Sequence, residues 1–330
     1  MRFLYFFKKI WQPEIYQGHF KKKNYFEGWY YKLADASGEQ LFAIIPGIFY
    51  GNSEEDHHAF IQVLDGKQRK PFYIRYDIHE FTASSHTFEV TIGNSYFSGD
   101  KMILDLSGPD LKLQGEMVFC DLKPWPVTLT SPGIMGWYAW VPFMECYHGV
   151  LSFDNLINGT IIINDEPVPL TGGRGYMEKD WGISFPSAWV WLQSNHFASP
   201  GTSVMVSVAK IPWRGHFFRG FIMGLWHHHT LYKFATYTGA QITSFQVRNE
   251  DVFLVVEDKK YRIEIRARNS DYGLLLGPDG KNMALKVAES LTATLQVRLV
   301  SVRDREDVIF EGTGVHGGME VGGKIEEILN

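Results

Sequence analysis

Residues Gly175 to Phe197 read G-Y-M-E-K-D-W-G-I-S-F-P-S-A-W-V-W-L-Q-S-N-H-F. Two extended runs meet at Phe185-Pro186. Proline fixes φ and removes a backbone donor, so it interrupts a strand ladder. Before it, Glu178 and Asp180 point to one face of an extended backbone, because side chains alternate. After it, Trp189, Trp191, Gln193, Asn195 and Phe197 share a face. Large rings beside two amides suit a pocket wall with a few fixed polar groups. The same spacing suits an ordinary packed β core.

Working outward, the pattern repeats along the chain. Tyr25 to Leu33, Y-F-E-G-W-Y-Y-K-L, alternates as a strand, with Glu27, Trp29 and Tyr31 on one face. Short apolar runs follow at regular spacing, separated by turn pairs such as Asp65-Gly66, Gly93-Asn94 and Asn164-Asp165. Residues 124–142 hold Pro124, Pro126, Pro132 and Pro142 and read as a long connection. Only Met283 to Leu291 suggests a short amphipathic helix. The class is all-β, and many short strands with polar turns point to an antiparallel sandwich or barrel.

The chain also carries a weak internal repeat. E-G-W-Y-Y-K-L from Glu27 is echoed by S-A-W-V-W-L-Q from Ser187, which aligns Trp29 with Trp189. G-Y-M-E at Gly175 is echoed by G-G-M-E at Gly317. Each half then opens with a tryptophan strand and closes with a Gly-x-Met-Glu strand. That division predicts domains over 1–184 and 185–330, each of ordinary domain size.

Composition narrows the function. The 330 residues carry a net charge of −5, which argues against nucleic acid as a partner. Aromatics make up 15%, which favours β structure and an apolar ligand. Cys120 and Cys146 are the only cysteines, so a disulfide scaffold or a cysteine metal motif is not expected. The apolar run Phe3 to Phe7 is too short to cross a membrane. With Lys8 and Lys9 behind it, it could touch a membrane surface or pack on the body of the protein. A cytoplasmic protein is expected. His227-His228-His229 and His57-His58 lack the spacing of a metal motif, and no metal is expected there. Oligomeric state is not legible.

Three blocks resemble one family: Y-F-E-G-W-Y-Y-K, then the stretch from Gly175, then G-G-M-E-V-G-G near the C-terminus. Together they are similar to tocopherol cyclases, and more distantly to the carotenoid hydratase and AttH-like proteins. The resemblance implies two lipocalin-like antiparallel β-barrels in tandem. It implies closure of a chromanol ring on a prenylated quinol, or hydration of a related isoprenoid, with no redox cofactor or metal. The alternative is a lipocalin-like carrier of a hydrophobic small molecule, without turnover. A buried carboxylic acid is the obvious proton source, so Glu178 is the first candidate acid and Asp180 the second. Gln193 and Asn195 would hold the head group. Trp29, Tyr31, Tyr176, Trp181, Trp189 and Trp191 would line the ligand site. Glu27 and Glu320 also match the blocks, but suit closing a barrel end through buried hydrogen bonds.

Overall fold

The alternating aromatic and β-branched runs form strands almost throughout. The computed structural model describes residues 2–249, 251–269 and 271–329. The side chains of Phe3, Leu4 and Phe6, part of the N-terminal apolar run, lie outside the described residues. Contacts divide the chain into two units. The first runs up to Phe185 and includes Leu274–Lys286. The second holds Pro186–Gly273 and the residues from Val287 onward.

After helix α1 (Arg2–Trp11), the first unit builds one sheet. Its strands are β1 (Tyr25–Ala34), β2 (Leu41–Tyr50), β3 (His58–Asp65), β4 (Lys70–Asp77), β5 (Phe81–Ala83), β6 (Glu89–Ile92), β7 (Ser95–Ser98), β8 (Lys101–Gly108), β9 (Leu111–Cys120), β10 (Cys146–Ile163), β11 (Glu166–Pro169) and β12 (Gly173–Gly182). The order is β4-β3-β2-β1-β12-β10-β9-β8-β7-β6-β5, with β11 on β10. First and last long strands therefore pair. The sheet curls so that Ile44, Ile61 and Val63 of one arm share a core with Ile92, Phe97 and Leu104 of the other.

The sheet does not close. Its two edges are β4 and β5, which are consecutive in sequence. Between them Ile78–Glu80 forms a 3-10 turn, capped by Asp77, whose carboxylate accepts from the His79 amide at 2.8 Å. The turn takes the chain out of the extended state, so β5 cannot ladder back on β4. The second unit does the same. The strands of its sheet are β13 (Ala188–Ser194), β14 (His196–Phe197), β15 (Ser203–Trp213), β16 (His216–His227), β17 (Thr230–Ala235), β18 (Gln241–Arg248), β19 (Asp251–Glu257), β20 (Tyr261–Arg268), β21 (Gly273–Pro278), β22 (Met283–Ser301) and β23 (Val308–Gly323), of which β21 from Leu274 and β22 as far as Lys286 fall in the first unit. They run β17-β16-β15-β13-β23-β22-β20-β19-β18, and a 3-10 turn, Thr236–Thr238, separates the edges β17 and β18. The expectation of two closed barrels is thus corrected: these are two open, curled sheets. Short capped turns at one connection per sheet break the ring, and the strand pattern carries no sign of that. The expected helix at Met283–Leu291 is instead part of β22.

The tip of the β21–β22 hairpin belongs to the first unit. Gln62 on β3 holds it there. Its amide donates to the Leu276 carbonyl and accepts from the Leu276 amide, both at 2.8 Å.

The repeat is real for one strand and shifted for the other. Met177 and Met319 both enter the cores, and Glu178 and Glu320 take the opposite face. Glu178 stands opposite Tyr30, however, and Glu320 opposite Trp191. Trp29 and Trp189 therefore differ by one register step. Trp29 lies in the core cluster, whereas Trp189 faces away from it with Trp191 and Gln193. A single slip exchanges the faces of a strand.

Glycines in β23 make room for these rings. A Cβ on Gly322 would lie 2.2 Å from Trp189 Cζ2, and one on Gly318 would lie 2.4 Å from Trp191 Cζ3. Trp189 cannot swing aside freely, because its Nε1 donates to Glu320 at 2.8 Å. Gly322→Ala is expected to cost about 1–3 kcal/mol by overpacking, read from urea denaturation. A loss below about 0.5 kcal/mol, the range of an ordinary surface change, would show that the ring gives way.

Candidate active site

Pairing β12 between β1 and β10 assembles a cluster no single segment contains. Asp180 stands opposite His148, and Glu178 opposite Val150. Beyond Val150 the β10 register slips twice, at Ser152 and again before Asn155. Such bulges re-aim side chains beside a site. His148 Nδ1 lies 2.7 Å from Asp180 Oδ1, and Nε2 lies 3.6 Å from Glu178 Oε2. Among the described residues Nε2 has no hydrogen-bond partner. Tyr176 OH donates to Glu178 Oε2 at 2.6 Å. Cys146 Sγ lies 3.9 Å from Asp180 Oδ1.

The electrostatics follow from burial. Desolvation alone would push the His148 pKa down, but the Asp180 and Glu178 carboxylates outweigh it and raise it to about 9. His148 is therefore an imidazolium at neutral pH. Burial, then the Glu178 charge, holds the Tyr176 hydroxyl protonated. Burial and Asp180 likewise keep Cys146 a thiol. Ligand atoms of His148, Glu178 and Asp180 lie within 4.8 Å of one another, close enough to hold a cation. A metal would have to displace the His148 proton that both carboxylates favour.

A pocket of about 200 Å³ is bordered by His148 of this cluster, with Tyr147 and Trp181 reaching it from the opposite face of the strands. His148, Tyr147 and Trp181 form part of its wall, opposite Ile10 of α1, Pro13 and the 132–144 segment. Trp181 stacks on Tyr147 with ring centroids 5.6 Å apart.

On the other face of the same strands lies a buried ion pair. Lys179 and Glu27 have fully buried side chains, with Nζ 2.5 Å from Oε1. Lys179 also donates to the carbonyls of Pro13 at 2.8 Å and Ile15 at 2.5 Å. It sits 4.8 Å from the Trp29 ring centroid and 4.9 Å from that of Trp181. Glu27 accepts from the Gln17 amide at 2.9 Å and from the Tyr25 hydroxyl. Burial holds the Lys179 pKa below its ordinary value, and the Glu27 carboxylate offsets only part of that. The pair ties residues 13–17 across the sheet.

The model of the family described as tocopherol cyclase-like matches residues 122–323, more than half of the chain. The chain belongs to the tocopherol cyclase-like family. A probable tocopherol cyclase, chloroplastic, of Oryza sativa subsp. japonica is 27% identical over 207 residues, covering 60% of this chain and 44% of that protein. The tocopherol cyclase, chloroplastic, of Zea mays is 26% identical over 200 residues, covering 57% and 41%. The matches thus span less than half the length of these relatives. Among solved structures, kievitone hydratase from Nectria haematococca shares the fold at a TM-score of 0.55 and 12% identity, covering 92% of this chain and 90% of that one. An AttH-type protein from Nitrosomonas europaea does so at 0.54 and 16%, covering 91% and 93%. At such identities the likeness concerns the fold alone.

The tocopherol cyclase-like segment 122–323 contains His148, Tyr176, Glu178 and Asp180, and β1 lies before it. The structure brings Tyr176, Glu178 and Asp180 together and sets Trp181 in the pocket wall. Trp29 and Tyr31 are core residues. Trp29 Nε1 donates to the Glu14 carbonyl at 3.0 Å, and Tyr31 OH to the Ser98 carbonyl at 2.8 Å. Trp189, Trp191, Gln193 and Asn195 belong to the second unit. Gln193 is fully buried there, and its side-chain amide has no hydrogen-bond partner among the described residues. Phe197 departs from their shared face. The strand breaks at Asn195, alternation resets, and Phe197 enters the core. His228 and His229, with φ of 46° and 59°, form the two-residue turn between β16 and β17 rather than a strand face. His148 escaped the sequence reading. Its only local signal is its place in C-Y-H-G, Cys146 to Gly149, at the start of a strand.

Proposed function

We propose that this protein catalyses proton-transfer chemistry on a prenylated phenol, closing a ring between the phenolic oxygen and the nearest alkene of the tail. The observation that carries this reading is the His148 imidazolium held between Asp180 and Glu178, on a residue that also borders the pocket lined by Tyr147 and Trp181. Ring closure adds a proton to one alkene carbon, forms a bond from oxygen to the other, and releases the phenolic proton. No electrons change hands. A donor with a pKa of about 9 is too weak to protonate an isolated alkene. Delivery must therefore be concerted with attack by the oxygen, which the enzyme favours by holding both ends of the reacting group. The carboxylates accept the phenolic proton, and the Tyr176–Glu178–His148–Asp180 line returns the cluster to its starting state. Trp181 and Tyr147 face the pocket and can stabilise positive charge growing on carbon.

The names of the Oryza and Zea relatives support a prenylated quinol as the first substrate to try. Incubation with such a quinol should give a product of unchanged mass and shifted retention. A gain of one water would instead indicate hydration. Recovery of unchanged quinol that co-purifies with the protein would overturn the catalytic reading and leave a carrier.

A further inference from the structure

An exposed aromatic band lies over the elements that wall the pocket. Phe20, Phe7 and Trp140 are 53%, 38% and 41% exposed. Two ring contacts hold residues of α1 against the band: Phe20 on Tyr5 at 5.6 Å, and Phe7 on Trp140 at 6.0 Å. Trp137 and Phe143, on and just after the 3-10 turn Gly136–Trp140, are exposed too. Several exposed large rings on neighbouring elements are the kind of surface that marks an interaction site. Lys21, Lys22 and Lys23 follow Phe20 directly and are exposed. The chain as a whole carries −5, so this basic run is a local reversal of charge. Aromatic rings edged by lysines match the headgroup region of a bilayer, where rings sit at the interface and cations meet phosphates. Among the described residues no helix is long and apolar enough to cross a membrane, which makes this a surface contact.

We propose that α1, Phe20 to Lys23 and the 137–143 segment form a docking surface for an anionic lipid bilayer. Trp140 and Pro142 belong to this surface and also to the pocket wall, so docking would bring the pocket to the source of an apolar ligand. The inference concerns binding alone and stands whether or not the catalytic reading holds.

Co-sedimentation with vesicles tests it, comparing phosphatidylcholine alone with a mixture containing about one-third phosphatidylglycerol. The protein should bind the mixed vesicles, and binding should weaken with salt. The triple variant K21Q/K22Q/K23Q should partition on the order of 100-fold more weakly. Trp137→Ser with Phe143→Ser should reduce binding at least about tenfold, through lost apolar contact. Both variants alter exposed side chains and should keep the parent's unfolding midpoint. Absent binding, equal binding to both vesicle types, or unchanged binding by both variants would overturn the proposal. So would a dimer in lipid-free gel filtration that Trp137→Ser with Phe143→Ser dissociates, because the band would then be a contact between copies of the chain.

Discussion

Lys179→Met should destabilise the first unit by about 3–5 kcal/mol, the usual cost of breaking a buried pair from one side. Glu27 would remain fully buried, with the Gln17 amide and the Tyr25 hydroxyl left among the described residues to balance its charge. The carbonyls of Pro13 and Ile15 would lose their donor together, so residues 13–17 would loosen from the sheet. Urea denaturation reads the first effect, and faster protease cleavage between α1 and β1 reads the second. The double variant Glu27→Gln, Lys179→Met should recover part of the loss, because no unpaired charge remains. A single variant within about 1 kcal/mol of the parent, the scale of an exposed pair, would mean that water reaches the pair.

His148→Gln should lower turnover of a prenylated quinol about 100- to 10,000-fold, the range for loss of a positioned acid–base group, with little change in binding. The parent should lose activity as pH rises through about 9, as the imidazolium gives up its proton. Stability should follow the same titration. The folded pKa is raised above the ordinary value of 6.5, so the contribution is full below about pH 6.5 and disappears as pH rises through about 9. A shift of that size corresponds to up to about 3 kcal/mol. Asp180, Glu178, Tyr176 and Cys146 face the ring, and the last two stay protonated across this window. In His148→Gln the alkaline loss of stability should flatten. If turnover falls but the pH profile keeps its shape, another group supplies the proton.

What the sequence determined by itself is local. Period-two alternation and turn pairs mark the strands, because each depends on a few neighbouring residues. The same alternation placed Glu178 and Asp180 on one face, and the Gly-x-Met-Glu echo marked equivalent strands in the two sheets. Only the tertiary structure decided the rest. Whether a curled sheet closes depends on the edges meeting, and two short capped turns keep them apart. Which way Trp29 and Trp189 point depends on a one-residue register that pairing sets. The opening stretch shows the two acids but not the imidazole between them, because His148 lies 32 residues before Asp180 and meets it only through the pairing of β10 with β12.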